Sequence, residues 1–277
     1  MLGAGTMGRG IAQVCAAAGL EVRLQDLDPA QVERALEAVE ADLRKGVEKG
    51  KLDEATARET FERIQGATGL EAAARGVELV VEAVPERLEP KREVLAAAEA
   101  VAAPGALLAS NTSSLSIGAI AEALADPSRF LGLHFFNPVP RMPLLEIVVG
   151  PATADAARGR ALALAAALGK EPIVVRDSPG FATSRLGVAL GLEAIRMVEE
   201  GVASPEDVDK AMELGYRHPM GPLRLTDLVG LDVRLGIAEH LARELGPRFE
   251  PPELLRRMVA EGRLGRKSGR GFYEWPE

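Results

Sequence analysis

Apolar residues along the chain change their spacing near position 178. Before it, short apolar runs of strand length alternate with stretches whose apolar positions recur every three or four residues. Glu21-Val-Arg-Leu-Gln-Asp26 alternates as a half-buried strand does. Glu78-Leu-Val-Val-Glu-Ala-Val84, Ala106-Leu-Leu-Ala109, Phe130-Leu-Gly-Leu133, Leu144-Leu-Glu-Ile-Val-Val149 and Pro172-Ile-Val-Val-Arg176 are more continuously apolar, as strands covered on both faces are. Between them the spacing predicts helices over 11–18, 88–102 and 153–168. Residues 29–65 read as two charged helices, with Ala35, Leu36, Val39 and Leu43 as the apolar stripe and Gly50 as the break. From Ser178-Pro179-Gly180 onward the alternation stops, and 180–200, 205–214, 222–245 (with interruptions) and 251–261 carry helical spacing. An α/β chain is expected: a doubly wound sheet domain over 1–178 with a helical-hairpin insertion at about 29–65, then a smaller all-α domain over 179–277.

The first helix opens on Gly3-Ala-Gly5-Thr6-Met7-Gly8, and the strand after it closes on Asp26. Turn, helix, strand and terminal acid together form the dinucleotide fingerprint of a Rossmann-type domain. Its glycines permit a tight turn and close phosphate approach, and the helix N-terminus offers unpaired N–H groups to the pyrophosphate. Asp26 is placed to accept from the ribose hydroxyls and would repel a 2′-phosphate, so NAD is expected rather than NADP. A first strand of four to six residues should precede Gly3, and only Met1 and Leu2 do. Either translation starts upstream or the central strand is stunted.

Candidate chemistry concentrates in His134-Phe-Phe-Asn-Pro-Val-Pro-Arg-Met-Pro-Leu-Leu-Glu146, a proline-rich turn between two apolar strands. Antiparallel pairing of those strands would bring His134 and Glu146 within side-chain reach. An imidazole held by a buried carboxylate is a general acid/base pair, although such pairs are also found as structural features. Asn111 and Asn137 are the only asparagines, so each is expected to meet a specific hydrogen-bonding need. The polar run Ser110-Asn-Thr-Ser-Ser114 closes a strand on the edge where such sheets bind ligands.

Charge and composition narrow the partners. A net charge of −8 disfavours nucleic acid, and an anionic ligand would need a local basic patch. Arg44, Lys45, Lys49 and Lys51 make such a tip on the helical hairpin; charge alone reads it as a solvated face, and a clamp for a phosphate-bearing ligand is the functional alternative. No apolar run approaches the roughly 20 residues of a membrane span, and no charged-then-apolar leader precedes the first motif. Cys15 lies in an apolar helical run as a small buried hydrophobe, which suits a reducing cytoplasm. His218 opens a turn and His240 lies on an amphipathic helix, so both are read as structural, and no residue cluster has metal-ligand spacing.

The chain resembles the L-3-hydroxyacyl-CoA dehydrogenases, and among them the short bacterial 3-hydroxybutyryl-CoA dehydrogenases. The resemblance rests on Gly3–Gly8, Glu82-Ala-Val-Pro-Glu86, Ser110-Asn-Thr-Ser-Ser-Leu115, His134-Phe-Phe-Asn-Pro-Val-Pro140, Asp177-Ser-Pro-Gly-Phe181, His218-Pro-Met-Gly-Pro222 and Gly265-Arg-Lys-Ser-Gly-Arg-Gly-Phe-Tyr273, in family order. It implies oxidation of (S)-3-hydroxyacyl-CoA to 3-oxoacyl-CoA with NAD, in fatty acid β-oxidation or butanoate metabolism. On this resemblance His134 matches the base, Glu146 its electrostatic partner, and Ser113 and Asn137 the groups that bind substrate oxygens and position the nicotinamide. Gly3, Gly5, Thr6, Met7, Gly8, Asp26, Glu86, Lys91, Asn111, Ser113 and Lys267 match cofactor-binding positions. Lys49 resembles the lysine that meets the CoA phosphates.

Ser184 stands where the family usually has asparagine, with a shorter reach toward substrate. The resemblance also implies a cytoplasmic homodimer formed through the helical domain, where Leu186, Leu190, Ile195 and Val198 supply apolar surface. Alternative readings are an L-gulonate-type sugar-acid dehydrogenase, against which Phe135-Phe136 speaks, and a non-catalytic NAD-binding protein, against which the intact His134, Asn137 and Glu146 speak.

Overall fold

A computed structural model of the protein describes residues 1–276. The chain divides into two compact units, Met1–Asp177 and a second beginning at Ser178. In the first, seven strands form: β1 (Val22–Leu24), β2 (Ile64–Gly66), β3 (Leu79–Glu82), β4 (Leu107–Ser110), β5 (Phe130–Phe135), β6 (Leu144–Val149) and β7 (Glu171–Arg176). β1 and β2 pair in parallel, and β3 to β7 form a second sheet in that order. Within it β3, β4 and β5 are parallel, β5 and β6 antiparallel, and β6 and β7 parallel.

Leu2 joins the two sheets. It makes parallel bridges to Gln25 on one side and Glu82 on the other, with Leu2 N donating to Val81 O, Ala83 N to Leu2 O and Gly3 N to Gln25 O. Leu2 therefore lies where the expected first strand belongs, between the strands that end near Gln25 and Glu82. A cavity of about 360 Å³, lined among others by Cys15, Val22, Arg23, Leu79 and Val80, borders Met1 and Leu2.

Helices cover this sheet: α1 (Thr6–Ala17), α2 (Pro29–Glu48), α3 (Glu54–Glu62), α4 (Leu70–Ala74), α5 (Leu88–Glu99), α6 (Ile117–Ala121) and α7 (Asp155–Ala167). The acids before α2 and α3 explain where those helices begin. Asp28 accepts from Ala30 N and Asp53 from Thr56 N, satisfying amides that a helix start leaves unpaired. α2 turns Val32, Ala35, Val39 and Leu43 into a core that also holds Ile11, Leu24, Leu131 and Leu145. Its opposite face is charged, which is the amphipathic pattern read above. Cys15 belongs to this core, and burial pushes its thiol up to about 11.

The second unit contains α8 (Thr183–Glu199), α9 (Pro205–Lys210), α10 (Pro222–Val229), α11 (Leu231–Leu245) and α12 (Glu253–Ala260), around Val188, Leu192, Ile195, Leu223, Leu231 and Leu241. Its glycine-rich tail is tied down by two buried aspartates. Asp227 accepts from Phe272 N, Tyr273 N and Trp275 Nε1, and Asp209 accepts from Leu223 N, Arg224 N and the Tyr273 hydroxyl. A side chain at Gly271 would lie 2.2 Å from Asp227 Oδ1, so the tail needs glycine there. Among the described residues no helix is long and apolar enough to cross a membrane.

Candidate active site

Three parallel strands end on one edge of the sheet, and most of the candidate residues lie just beyond those ends. β3 leads to Glu82 and Glu86, β4 to Ser110–Ser114, and β5 to His134–Asn137. The carboxyl edge of parallel strands is where doubly wound sheets bind ligands.

The glycine loop sits beside it. Gly3 has φ 93°, and a Cβ there would lie 2.6 Å from Ala83 O; at Gly8 it would lie 1.8 Å from Gly3 O. Both positions therefore require glycine for the backbone to cross itself. At Gly5, which caps α1, a Cβ would meet nothing within 4 Å. That open space lies before the first-turn amides of Thr6, Met7 and Gly8, which have no acceptor within the helix. Asp26 Oδ2 accepts from Ala4 N at 2.8 Å, and Gln31 Nε2 donates to Ala4 O at 2.9 Å, so the loop is pinned on both sides of one residue. The room, amide donors and adjacent carboxylate fit the pyrophosphate and ribose of a dinucleotide.

His134 and Glu146 face each other directly across the antiparallel β5–β6 pair. His134 Nδ1 and Glu146 Oε2 are 2.6 Å apart, with Glu146 fully buried and the His134 side chain 8% exposed. At that distance the bond is charge-assisted whenever the ring is protonated. The Phe136 ring lies against the imidazole, 4.4 Å between centroids. The turn between the strands is held from beneath by Lys170, whose ammonium donates to Val139 O at 2.6 Å and Met142 O at 2.7 Å. Burial lowers the Lys170 pKa from its ordinary value. Asn137 stands exposed on this turn.

Beyond β4, Asn111 Oδ1 accepts from Phe135 N at 2.9 Å and so couples the ends of β4 and β5. Its side-chain oxygen is thereby engaged inside the protein. Ser113 N and Ser113 Oγ both donate to Glu86 Oε1, at 2.8 and 3.2 Å. Burial alone would push the Glu86 carboxyl up; the Lys91 charge and donors from Thr112 and Ser113 outweigh it and hold the group below its ordinary value. Lys91, which the resemblance matches to a cofactor-binding position, lies at the base of this group. It is 1% exposed, beneath Glu86, and its ammonium meets Glu82 Oε1 at 2.8 Å and Glu86 Oε2 at 3.2 Å.

Of the remaining candidates, Lys49 is exposed at the C-cap of α2. In the second unit Ser184 is half-buried in the first turn of α8, while Lys267 is exposed and ion-paired to Asp232 at 2.5 Å. His218 and His240 are half-buried. Among the described residues no group of three or more His, Cys, Asp or Glu could hold a metal ion. Glu82, Lys170 and Asp227 are organising residues that sequence reasoning missed. Glu82 carried a signal, an acid closing an apolar strand; Lys170 and Asp227 carried none.

The chain matches the model of the 3-hydroxyacyl-CoA dehydrogenase NAD-binding domain over residues 1–178, and that of the family's C-terminal domain over residues 180–275. It is 44% identical to a probable 3-hydroxybutyryl-CoA dehydrogenase of Bacillus subtilis, the match covering 99% of this chain and 96% of that protein. It is 45% identical to a 3-hydroxybutyryl-CoA dehydrogenase of Mycobacterium tuberculosis, covering 99% and 97%. The crystal structure of (S)-3-hydroxybutyryl-CoA dehydrogenase from Ralstonia eutropha superposes with a TM-score of 0.95 at 42% identity, covering 100% of this chain and 98% of that one. Sequence motifs, fold and full-length similarity agree, and the chain belongs to the 3-hydroxyacyl-CoA dehydrogenase family of NAD-dependent oxidoreductases.

Proposed function

We propose that in the family's reaction, oxidation of (S)-3-hydroxyacyl-CoA to 3-oxoacyl-CoA, His134 takes the 3-hydroxyl proton and Glu146 holds the imidazole for it. The observation that carries this is the 2.6 Å Nδ1–Oε2 contact between facing residues of β5 and β6. With Nδ1–H given to Glu146, Nε2 is the nitrogen that accepts the substrate proton, and the buried carboxylate stabilises the imidazolium that results. Bound NAD supplies the acceptor for the hydride that leaves C3. Ser113 and Asn137, at the ends of β4 and β5, orient the substrate oxygens, so proton removal occurs from a positioned substrate. Gly5 and the α1 amides receive the pyrophosphate, Asp26 the ribose, and Lys49 on its basic tip the CoA phosphates. Ser184 is assigned to the substrate, while Glu86, Asn111 and Lys267 are assigned to cofactor binding.

Short acyl chains are the proposed substrates, in line with the names of the relatives, and fatty acid or butanoate metabolism is the proposed setting. A cytoplasmic homodimer is proposed as the working form. The second unit exposes Leu186, Leu214 and Tyr216, an apolar surface that a second copy could cover. A panel of 3-hydroxyacyl-CoA esters of increasing length, with free 3-hydroxy acids and L-gulonate as controls and both NAD and NADP as cofactors, tests the assignment. Turnover of free acids but not of CoA esters would move it to the sugar-acid class.

A further inference from the structure

We infer that Glu82 is a positioning residue for this reaction: paired with Lys91, it fixes Glu86 and, through Glu86, the Ser113 segment that meets the substrate. The inference rests on the assignment of Ser113 to the substrate made above.

Glu82 ends β3 as a fully buried carboxylate and is shared among three partners. It accepts from Val84 N at 2.6 Å, from the Ser110 hydroxyl at 2.6 Å and from the Lys91 ammonium at 2.8 Å. One side chain thus ties together the segment after β3, the end of β4 and helix α5. Lys91 passes the constraint on, donating to Val84 O at 3.2 Å and lying 3.2 Å from Glu86 Oε2. The other oxygen of Glu86 accepts from Thr112 Oγ1 at 2.6 Å, Ser113 N at 2.8 Å and Ser114 N at 3.1 Å. The chain of contacts runs from the buried strand end to the crevice, and every link in it is polar.

Stability alone does not call for such a pair. Removing two charges from water is costly, and apolar residues of similar volume often replace a buried ion pair without loss of stability. What apolar residues could not do is hold the Glu86 carboxylate. Lys91 lies between two carboxylates; with Glu82 neutralised, Glu86 is its only charged partner and is drawn inward, away from the Ser113 and Ser114 amides. With Lys91 also replaced, Glu86 has no cation behind it at all.

The test compares the wild type, Glu82→Gln, and the double variant Glu82→Gln/Lys91→Met, which removes both charges while approximately keeping volume. Melting temperature, steady-state kinetics with 3-hydroxybutyryl-CoA and NAD, and hydrogen exchange across residues 111–115 are measured on each. The double variant is expected to melt within about 4 °C of the wild type. Its kcat/KM is expected to fall by roughly tenfold to a hundredfold, the cost of misplaced substrate contacts. The Ser113 and Ser114 amides should lose protection in both variants. Wild-type kcat/KM together with unchanged protection in a folded double variant would overturn the inference. Should the double variant not fold, the same two readouts on Glu82→Gln decide. An inactive wild type would sink the catalytic assignment instead, while exchange at Ser113 and Ser114 still tests the positioning chain.

Discussion

Replacing Glu146 by glutamine tests the geometry of the site with the least steric change. The carboxylate is fully buried and 2.6 Å from His134 Nδ1, so it contributes a charge-assisted bond in a water-poor setting. Such bonds are worth about 1.5–3 kcal/mol net, against about 0.5–1.5 kcal/mol for the neutral bond a glutamine could keep. The difference, about 1–2 kcal/mol, is felt most when the imidazole is protonated, after the substrate proton has moved. At about 1.4 kcal/mol per decade it corresponds to a loss in kcat of roughly five- to thirtyfold. A glutamine NH2 that turns to donate to Nδ1 adds to this, because it leaves the proton on Nε2 and removes the base. The loss belongs in kcat, since neither the glycine loop nor the basic tip is touched. The assay is steady-state NADH formation from (S)-3-hydroxybutyryl-CoA, with NAD affinity and melting temperature as controls. A folded Glu146→Gln protein that binds NAD normally and keeps kcat within about twofold of the wild type would refute the reasoning.

Asp26→Ala removes both the proposed ribose acceptor and the carboxylate that holds Ala4 N, so the KM for NAD should rise about tenfold or more while preference over NADP shrinks; unchanged cofactor kinetics would count against the site. Asp227→Ala strands three tail donors and should cost about 2–4 kcal/mol, read as a lower melting temperature and faster proteolysis after residue 264. Glu86 makes its segment pH-sensitive. Its carboxyl is held below its ordinary value, so the stabilisation is present above the unfolded value of about 4.3 and is lost as pH falls through the lower folded one. Hydrogen-exchange protection at Ser113 and Ser114 should follow that course once corrected for intrinsic rates, and Glu86→Gln should abolish the pH dependence.

Much of this molecule could be read from the chain because its signals were local. Apolar runs of strand length placed β3 to β7, the glycines placed the loop before α1, and two strands flanking a proline-rich turn placed His134 opposite Glu146. The shortness of the segment before Gly3 was legible, but not how Leu2 fills the place between the two sheets. Leu2 bridges both sheets through backbone groups, which no side-chain pattern reports. That Lys91 is buried could not be read for the same reason. Its place in the motif marked it as a ligand contact, and its burial follows from how α5 packs over the end of β3, a long-range outcome. Asp227 was invisible because its partners lie about 45 residues further along the chain. Chemistry carried by neighbouring residues could be read, and chemistry assembled by packing could not.

The central claim is that His134 takes the proton in NAD-dependent oxidation of a 3-hydroxyacyl-CoA. Its most direct test is NADH formation from (S)-3-hydroxybutyryl-CoA and longer esters by the wild type and by His134→Asn, with NAD binding and melting temperature measured on both. The account predicts turnover by the wild type and a loss of about a hundredfold or more in kcat for a folded, NAD-binding variant. Turnover that survives the substitution, or a folded wild type that binds NAD and oxidises none of the esters, would contradict it.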